Sequence, residues 1–291
     1  MQHIPVLKNE LLELMAPQKN QNFIDATLGT GGHTLAILKH TGPNGKLLGI
    51  DQDGLAIETA KDNLAEFGDR VSFARINFTE LGLVIREWKV NQIDGIYFDL
   101  GPSTDQLKSS GSSFLTDGPL DMRANPESQK ETAADIVNKY PEKEIIKVLF
   151  AGEEKSAKQI ARKIVEARSK HPIETTLQLV EIIKRSLPPK YRHEKKTHFA
   201  TDTFRALRMA VNSELENLRS VLPQAVKLLK NDGKIAVITF HSLEDRIVKN
   251  FFRESADLEI LTTKPITASE MEIIQNPSSR SAKLRVAKKM N

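Results

Sequence analysis

Asp25-Ala26-Thr27-Leu28-Gly29-Thr30-Gly31-Gly32-His33-Thr34 decides the fold of this 291-residue chain. It stands between a short apolar run, residues 22–26, and a segment with helical spacing, residues 32–39, so the pattern predicts a strand, a glycine-rich turn and a helix. Glycines in such a turn let a bound molecule approach the backbone closely, and the free amides of a helix start suit an anionic or carboxylate group. A second strand is predicted over 46–50. Asp51 at its end lies 22 residues beyond Gly29, where a carboxylate can accept both hydroxyls of a ribose. Turn and carboxylate together imply an adenosine-containing ligand.

Working outward, the alternation continues with a helix over 54–67 that carries Ala56, Ala60 and Leu64 on one stripe, and a strand over 71–76. Residues 93–100, Ile-Asp-Gly-Ile-Tyr-Phe-Asp-Leu, read as a buried strand, and the next comparably strong one is 234–240. This is an α/β pattern without internal repeats. Between Asp99 and Lys234 lie 134 residues, whereas a strand–helix–strand crossover needs about 30 in all, so something is inserted. Helical spacing over 133–150, 153–168 and 175–186 makes the insert a small helical domain. The Pro-rich stretch 186–191 and a basic loop lead out of it, and a helical segment over 203–230, broken near Pro223, returns the chain to the sheet. Final strands are expected over 258–263 and 283–288, bracketing a polar loop, 265–280. The expected domains are residues 1–104 with 212–291, and an inserted helical substrate-recognition domain over 105–211.

Composition narrows the chemistry. With 39% apolar and 27% charged residues the chain has enough apolar material for a buried core, and no apolar run approaches the eighteen residues of a membrane span. The start has no basic region ahead of an apolar stretch, so neither export nor membrane insertion is expected, and a cytoplasmic location is. The absence of cysteine excludes disulfides, thiolate metal sites and thiol nucleophiles together. The seven histidines form no His-x-His or His-Glu-x-x-His array, so no metal is expected, and no Gly-x-Ser-x-Gly elbow supports a hydrolase. Net charge is only +4, but 184–196 holds six basic residues against one acid and 277–291 five against none. Such patches suit phosphates, as they also suit solvated loops.

Two adenosine ligands compete for the turn. A dinucleotide fingerprint requires Gly-x-Gly-x-x-Gly/Ala, but Thr34 fills its sixth position, and Asp25 stands four residues ahead of the first glycine. An acid leading into Gly-x-Gly resembles the first motif of class I methyltransferases, which bind S-adenosyl-L-methionine. Asp99-Leu100-Gly101-Pro102-Ser103 then follows the fourth strand at the edge where open α/β folds bind ligands. An acid there can accept hydrogen bonds from a target amine, or simply cap the next segment. Asp117-Gly-Pro-Leu-Asp121-Met-Arg123 reads as a turn with an Asp–Arg pair. Phe240-His241-Ser242-Leu-Glu-Asp-Arg246, directly after the 234–240 strand, brings a His and several polar groups to the same edge, with Ser242 as an alternative helix cap.

In order and spacing these strings resemble the bacterial small-subunit ribosomal RNA cytosine-N4 methyltransferase family of the MraW type. The resemblance spans nearly the whole chain, adding His3-x-Pro5-Val6-Leu7 and Asn276-Pro-x-Ser-Arg-Ser281 with Leu284-Arg285. It implies a class I, Rossmann-like S-adenosylmethionine-dependent methyltransferase fold with a helical domain inserted after the fourth strand. Its substrate is implied to be a specific cytidine of 16S rRNA in the decoding region of the small ribosomal subunit; whether the chain is a homodimer stays open. By position the resemblance places the cofactor against Gly31, Gly32 and His33, within the Asp25 to Gly29 turn, with Asp51 on the ribose and Phe78, Asp99 and Gln106 completing the pocket. Asp99 is the first candidate to receive the amine, His241 or Ser242 the second, and Asp117 or Asp121 can hold the base edge.

The family's usual Ser-Ser-Pro-Gln-Leu, Arg-Gly-Phe-Ser-Phe and His-Pro-Ala-Thr-Arg-Thr-Phe appear here as Ser103-Thr-Asp105-Gln106-Leu, Ser110-Gly-Ser-Ser-Phe114 and His198-Phe-Ala-Thr-Asp202-Thr-Phe204. Those departures bear on RNA contacts rather than on the glycine turn. A methyltransferase of small molecules or proteins, and a non-catalytic RNA-binding module on a vestigial cofactor fold, are the alternatives; an oxidoreductase is disfavoured by Thr34.

Overall fold

The computed structural model describes residues 4–102, 111–194 and 197–291. The chain divides into two compact units, Met1–Gly101 with Leu215–Asn291, and Pro102–Glu214.

The first unit opens with a short helix, α1 (Lys8–Met15), and then alternates β1 (Phe23–Asp25), α2 (Gly32–Thr41), β2 (Leu47–Asp51), α3 (Gly54–Asn63), β3 (Val71–Arg75), α4 (Leu81–Glu87) and β4 (Ile93–Leu100). The helical stripe expected to run to residue 67 stops at Asn63, and a tight 3-10 segment, Ala65–Arg70, with Gly68 at φ 50°, turns the chain into β3.

The second unit holds α5 (Ala133–Lys139), α6 (Glu142–Ala151), α7 (Ala157–Arg168), α8 (Thr176–Ser186), α9 (Pro189–Glu194) and α10 (Thr201–Val211) around an apolar core that includes Ile136, Leu149, Ile160, Ile164, Leu179, Ile183 and Leu207. Three expectations change here. The single helix read over 133–150 is two, because Pro141 cannot continue α5 and instead caps α6. The Pro-rich exit is partly helical, with Pro189 in the first position of α9, where its missing N–H has no helical partner to lose. The break expected near Pro223 falls instead at Asn212 and Ser213. Asn212 bonds the carbonyls of Met122 and Arg208 and accepts the Ala124 amide, and Ser213 takes a left-handed φ of 49°. Pro223 lies inside α11 (Glu214–Leu228), whose buried Val221, Leu222, Ala225 and Val226 hold that helix together despite one lost backbone bond.

From α11 the chain enters β5 (Leu229–Thr239) and passes through α12 (Ser242–Glu254), β6 (Leu258–Ile260), β7 (Ile266–Thr267), α13 (Glu270–Gln275) and β8 (Lys283–Lys289). The stretch expected as a polar loop, 265–280, thus contains a two-residue strand and a short helix. Eight strands form one sheet among the described residues, ordered β3-β2-β1-β4-β5-β8-β6 with β7 also on β8. The first five are parallel, and β8 runs antiparallel to β5 and β6.

This is a Rossmann-like α/β fold. Along β4, Ile96 and Phe98 pack into a core with α11 and α12, while Tyr97 between them points to the face covered by α1, α2 and α3. Both faces are buried, which is why β4 reads as a nearly continuous apolar run.

A carboxyl group lies inside this sandwich. Asp25, 2% exposed, closes β1 opposite Tyr97 of β4. Its Oδ2 accepts the Thr34 hydroxyl at 2.8 Å and its Oδ1 the Thr27 amide at 3.2 Å, while Thr34 Oγ1 also lies 3.1 Å from the Tyr97 hydroxyl. Burial pushes the Asp25 carboxyl up from 3.8 to about 6, against the hydrogen bond from Thr34 and the nearby His33. Burial likewise pushes the Tyr97 phenol well above its ordinary range, so it stays a neutral hydroxyl.

A carboxyl whose folded pKa exceeds its unfolded one favours the fold most below the unfolded value, and that contribution is lost as pH rises through the folded one. At roughly 1.4 kcal/mol per pKa unit, the wild-type chain loses about 2 kcal/mol between pH 4 and pH 7 relative to Asp25→Asn. Urea unfolding of both proteins across that range measures the difference; parallel profiles would show Asp25 to be ordinary.

Candidate active site

The ends of β1 to β5 carry Asp25, the glycine turn, Asp51, Phe78, Asp99 and His241 of the residues that the sequence singled out, and the glycine turn is the first of them. Gly29 and Gly31 take left-handed φ values of 52° and 83°, which side-chain-bearing residues adopt at a cost. Gly31 is the N-cap of α2 and makes no side-chain cap bond. The turn is closely backed: a Cβ on Gly31 would lie 2.9 Å from Leu64 Cδ1, and one on Gly32 would collide with the Pro5 ring.

Asp51 ends β2 and fastens the turn from the side. Its Oδ2 accepts the Gly29 amide at 2.8 Å and its Oδ1 the Asp53 amide at 2.9 Å. Burial raises its pKa while those two amides oppose the shift. Each oxygen keeps a second lone pair, so accepting hydroxyls of a bound sugar remains open to it. At the end of β3, Asn77 bonds Gln52 at 3.3 Å and caps the short 3-10 turn Phe78–Glu80. This sets the half-buried Phe78 ring edge-on to Phe98, centroids 6.0 Å apart.

Asp99 is the penultimate residue of β4. Its amide donates to Thr27 Oγ1 at 2.6 Å, and its Oδ2 lies 3.4 Å from Nε2 of the buried His33, at an angle that makes no hydrogen bond. Asp99 Oδ1 and both ring nitrogens of His33 are buried without a partner, and the His33 ring stands edge-on to Tyr97 at 6.2 Å. Leaving such groups unpaired costs about 1–3 kcal/mol each, so three together beside an open glycine turn fit a polar ligand supplied from outside the chain. Gly101, two residues on, packs against the Phe240 ring, where a Cβ would lie 2.8 Å from it.

Phe240 leads into the last string. His241, not Ser242, is the N-cap of α12: its extended backbone (φ −144°) precedes the helix, and its Nδ1 accepts the Glu244 amide at 3.4 Å. Glu244 reciprocates through Oε2 to the amides of Phe240 and His241, a capping box built with imidazole in place of the usual hydroxyl. His241 Nε2, 3.2 Å from Glu244 Oε1, is buried without a hydrogen bond, whereas Ser242 is the exposed first helical residue. Asp245 forks onto Arg285 at 2.7 and 3.2 Å, tying α12 to β8.

Within the second unit, Asp117 accepts the amides of Gly118 and Leu177 at the start of α8, and hydrogen bonding, chiefly from Thr175, holds its carboxyl below the usual range. Asp121 forms a forked pair with Arg123 at 2.7 and 2.8 Å, whose hydrogen bond lowers its pKa. Gln106 lies outside the described residues. Sequence reasoning passed over the roles of Pro5, Thr27 and Tyr97, and noted Thr34 only as a departure from a dinucleotide motif. The Asp25-x-Thr27 spacing carries a signal, since an Asp side chain commonly accepts the amide two residues on.

The family model described as the MraW methylase family matches residues 1–290. The ribosomal RNA small subunit methyltransferase H of Kosmotoga olearia is 47% identical over 294 residues, spanning 99% of this chain and 97% of its own. The protein of the same name from Heliobacterium mobile is 45% identical over 310 residues, spanning 99% of both, and that of Thermotoga neapolitana is 47% identical over 290 residues, spanning 98% and 95%. Among solved structures, an rRNA methylase from Streptococcus thermophilus aligns over 98% of this chain and 94% of its own, with a TM-score of 0.45 at 9% identity. Matched by the family model over all but its last residue and by these relatives over almost its whole length, the chain belongs to the MraW methylase family and is a methyltransferase.

Proposed function

We propose that this chain methylates N4 of a specific cytidine in the 16S rRNA of the small ribosomal subunit, in the cytoplasm. The relatives are by name methyltransferases of small-subunit ribosomal RNA, and the cytosine amine follows from the family resemblance. S-Adenosylmethionine is the methyl donor, and when bound it supplies an electrophilic methyl group on a positively charged sulfur. The observation that carries the reading is the unpaired His33–Asp99 cluster beside the glycine turn.

Gly29, Gly31 and Gly32 let the ligand approach the backbone, Asp51 takes the ribose hydroxyls, and Phe78 offers a ring for the adenine. Gln106 completes this pocket in the family pattern. The cytosine amine is a weak nucleophile because its lone pair is delocalised into the ring, so the chain must orient it and accept its developing positive charge. Asp99 holds that acceptor position, with an unpartnered oxygen for the amine N–H. His241, whose Nε2 is also unpartnered, is second, with Ser242 beside it. Asp117 and Asp121 have structural partners in the insert, and a role at the base edge would use their remaining lone pairs. With no cysteine in the chain, methylation through a covalent thiol adduct at carbon 5 is excluded. The target base must leave its stack to be reached, and the helical insert and the basic segments 184–196 and 277–291 grip the surrounding RNA.

Incubation with labelled S-adenosylmethionine and small subunits lacking the modification, followed by nucleoside analysis, is expected to yield N4-methylcytidine. Label confined to another base, or to protein, would refute the assignment. Asp99→Ala is expected to lower kcat by about 10²-fold or more while the cofactor Kd moves far less. An equal loss in both would make Asp99 a binding group only. Gly31→Ala forces a side chain into the left-handed region at about 1–2 kcal/mol, so calorimetry should show cofactor affinity reduced roughly tenfold.

A further inference from the structure

We infer that Thr27 is the positioning residue that holds Asp99 in register with His33, and that it does so through its hydroxyl. The inference rests on the proposed role of Asp99 and extends it to Thr27, which acts on Asp99 through a hydrogen bond to its backbone amide.

The ladder geometry gives the reason. β1 ends at Asp25, which lies opposite Tyr97, and the Ala26 amide takes the Tyr97 carbonyl as the last rung between the two strands. In a parallel ladder, alternate residues direct their amide and carbonyl to the same neighbour, so Asp99, two beyond Tyr97, directs its amide toward a strand that has already ended. On its other side β4 continues alongside β5 through Leu100. Thr27 Oγ1 receives the Asp99 amide at 2.6 Å, extending the β1–β4 pairing by one rung with a side-chain oxygen. Gly101 donates to the Asp99 carbonyl at 3.0 Å, which closes the turn on the far side.

The same residue reaches the other half of the pair. The Thr27 amide donates to Asp25 Oδ1, and Asp25 Oδ2 receives the hydroxyl of Thr34, the residue next to His33 in the first turn of α2. Both partners of the 3.4 Å His33–Asp99 contact are therefore referenced to one buried carboxylate, Asp99 through Thr27 and His33 through Thr34. Removing the Thr27 hydroxyl frees the Asp99 amide and lets the end of β4 shift. It leaves Asp51, Gly29 and Phe78 where they are.

The test compares Thr27→Val, which keeps the shape without the acceptor, with Thr27→Ser, which keeps the acceptor. Measured on small subunits, Thr27→Val should lower kcat by about tenfold to a hundredfold, the range for a catalytic group displaced by a fraction of an ångström to an ångström. Cofactor Kd by calorimetry should stay within about twofold, and Thr27→Ser should recover most of the rate. In an Asp99→Asn background the Val substitution should cost no further rate, since Thr27 acts through that carboxylate. A wild-type kcat in Thr27→Val overturns the inference. So does a Ser variant as slow as the Val variant, or a loss of cofactor affinity that matches the loss of rate. Thr27→Ala carries the same comparison should the Val variant fail to fold. A wild-type protein that transfers no methyl group to the subunit fails the proposed function itself, which separates the two failures.

Discussion

A carboxylate buried at the end of a three-residue strand holds this site together. β1 is too short to reach the level at which β2 and β4 present Asp51 and Asp99, so the turn that follows it needs anchors other than ladder bonds. Asp25 supplies them by accepting one amide and one hydroxyl, from Thr27 and Thr34, on opposite limbs of the turn. An ionised carboxylate makes the stronger acceptor, yet burial disfavours the ion, and its pKa near 6 records how closely these two effects oppose each other. Near neutral pH the charged form prevails and both limbs are held by charge-assisted bonds. The neighbouring His33 is held by that geometry rather than by a hydrogen bond of its own.

Much of this was legible because the informative residues are local. The glycine turn, the carboxylate ending β2 and the apolar run of β4 are each set by near neighbours, and the strand predicted over 93–100 coincides with β4. The errors have a common physical origin. Helical periodicity continues smoothly through Pro141 and through Asn212–Ser213, and only the tertiary bonds of Asn212, or the ban on extending α5 into a proline, mark the ends. Conversely Pro223 looked like a break and is not one, because burial of the residues around it outweighs a single missing amide. Propensity proposes such boundaries and packing decides them.

At the site, residue identity was easier to read than residue role. Ser242 looked like the helix cap because hydroxyls usually serve there; His241 takes the position because its Nδ1 can accept the same amide, and Glu244 completes the box. Thr34 was informative only as a misfit to a dinucleotide motif. Its positive purpose, a hydroxyl aimed at Asp25, depends on a contact nine residues back that no short motif displays. Thr27 is harder still, since its partner Asp99 lies 72 residues away, and only the unequal lengths of β1 and β4 create the need it meets.

The insertion point follows from the same edge. A chain leaving the sheet after β4 departs from the strand that carries Asp99, and it returns through α11 into β5, which Phe240 and His241 directly follow. An element inserted there is attached by both ends to strands that furnish the candidate catalytic groups. The departures from the family pattern, between residues 103 and 112 and at Phe199 and Asp202, fall within the Pro102–Glu214 unit, and the Asp25–Thr34 turn carries none. A buried carboxylate network tolerates little change, because each lost partner leaves a charge or hydroxyl stranded away from water. Contacts to a flexible, highly charged polymer can be redistributed among many exposed side chains.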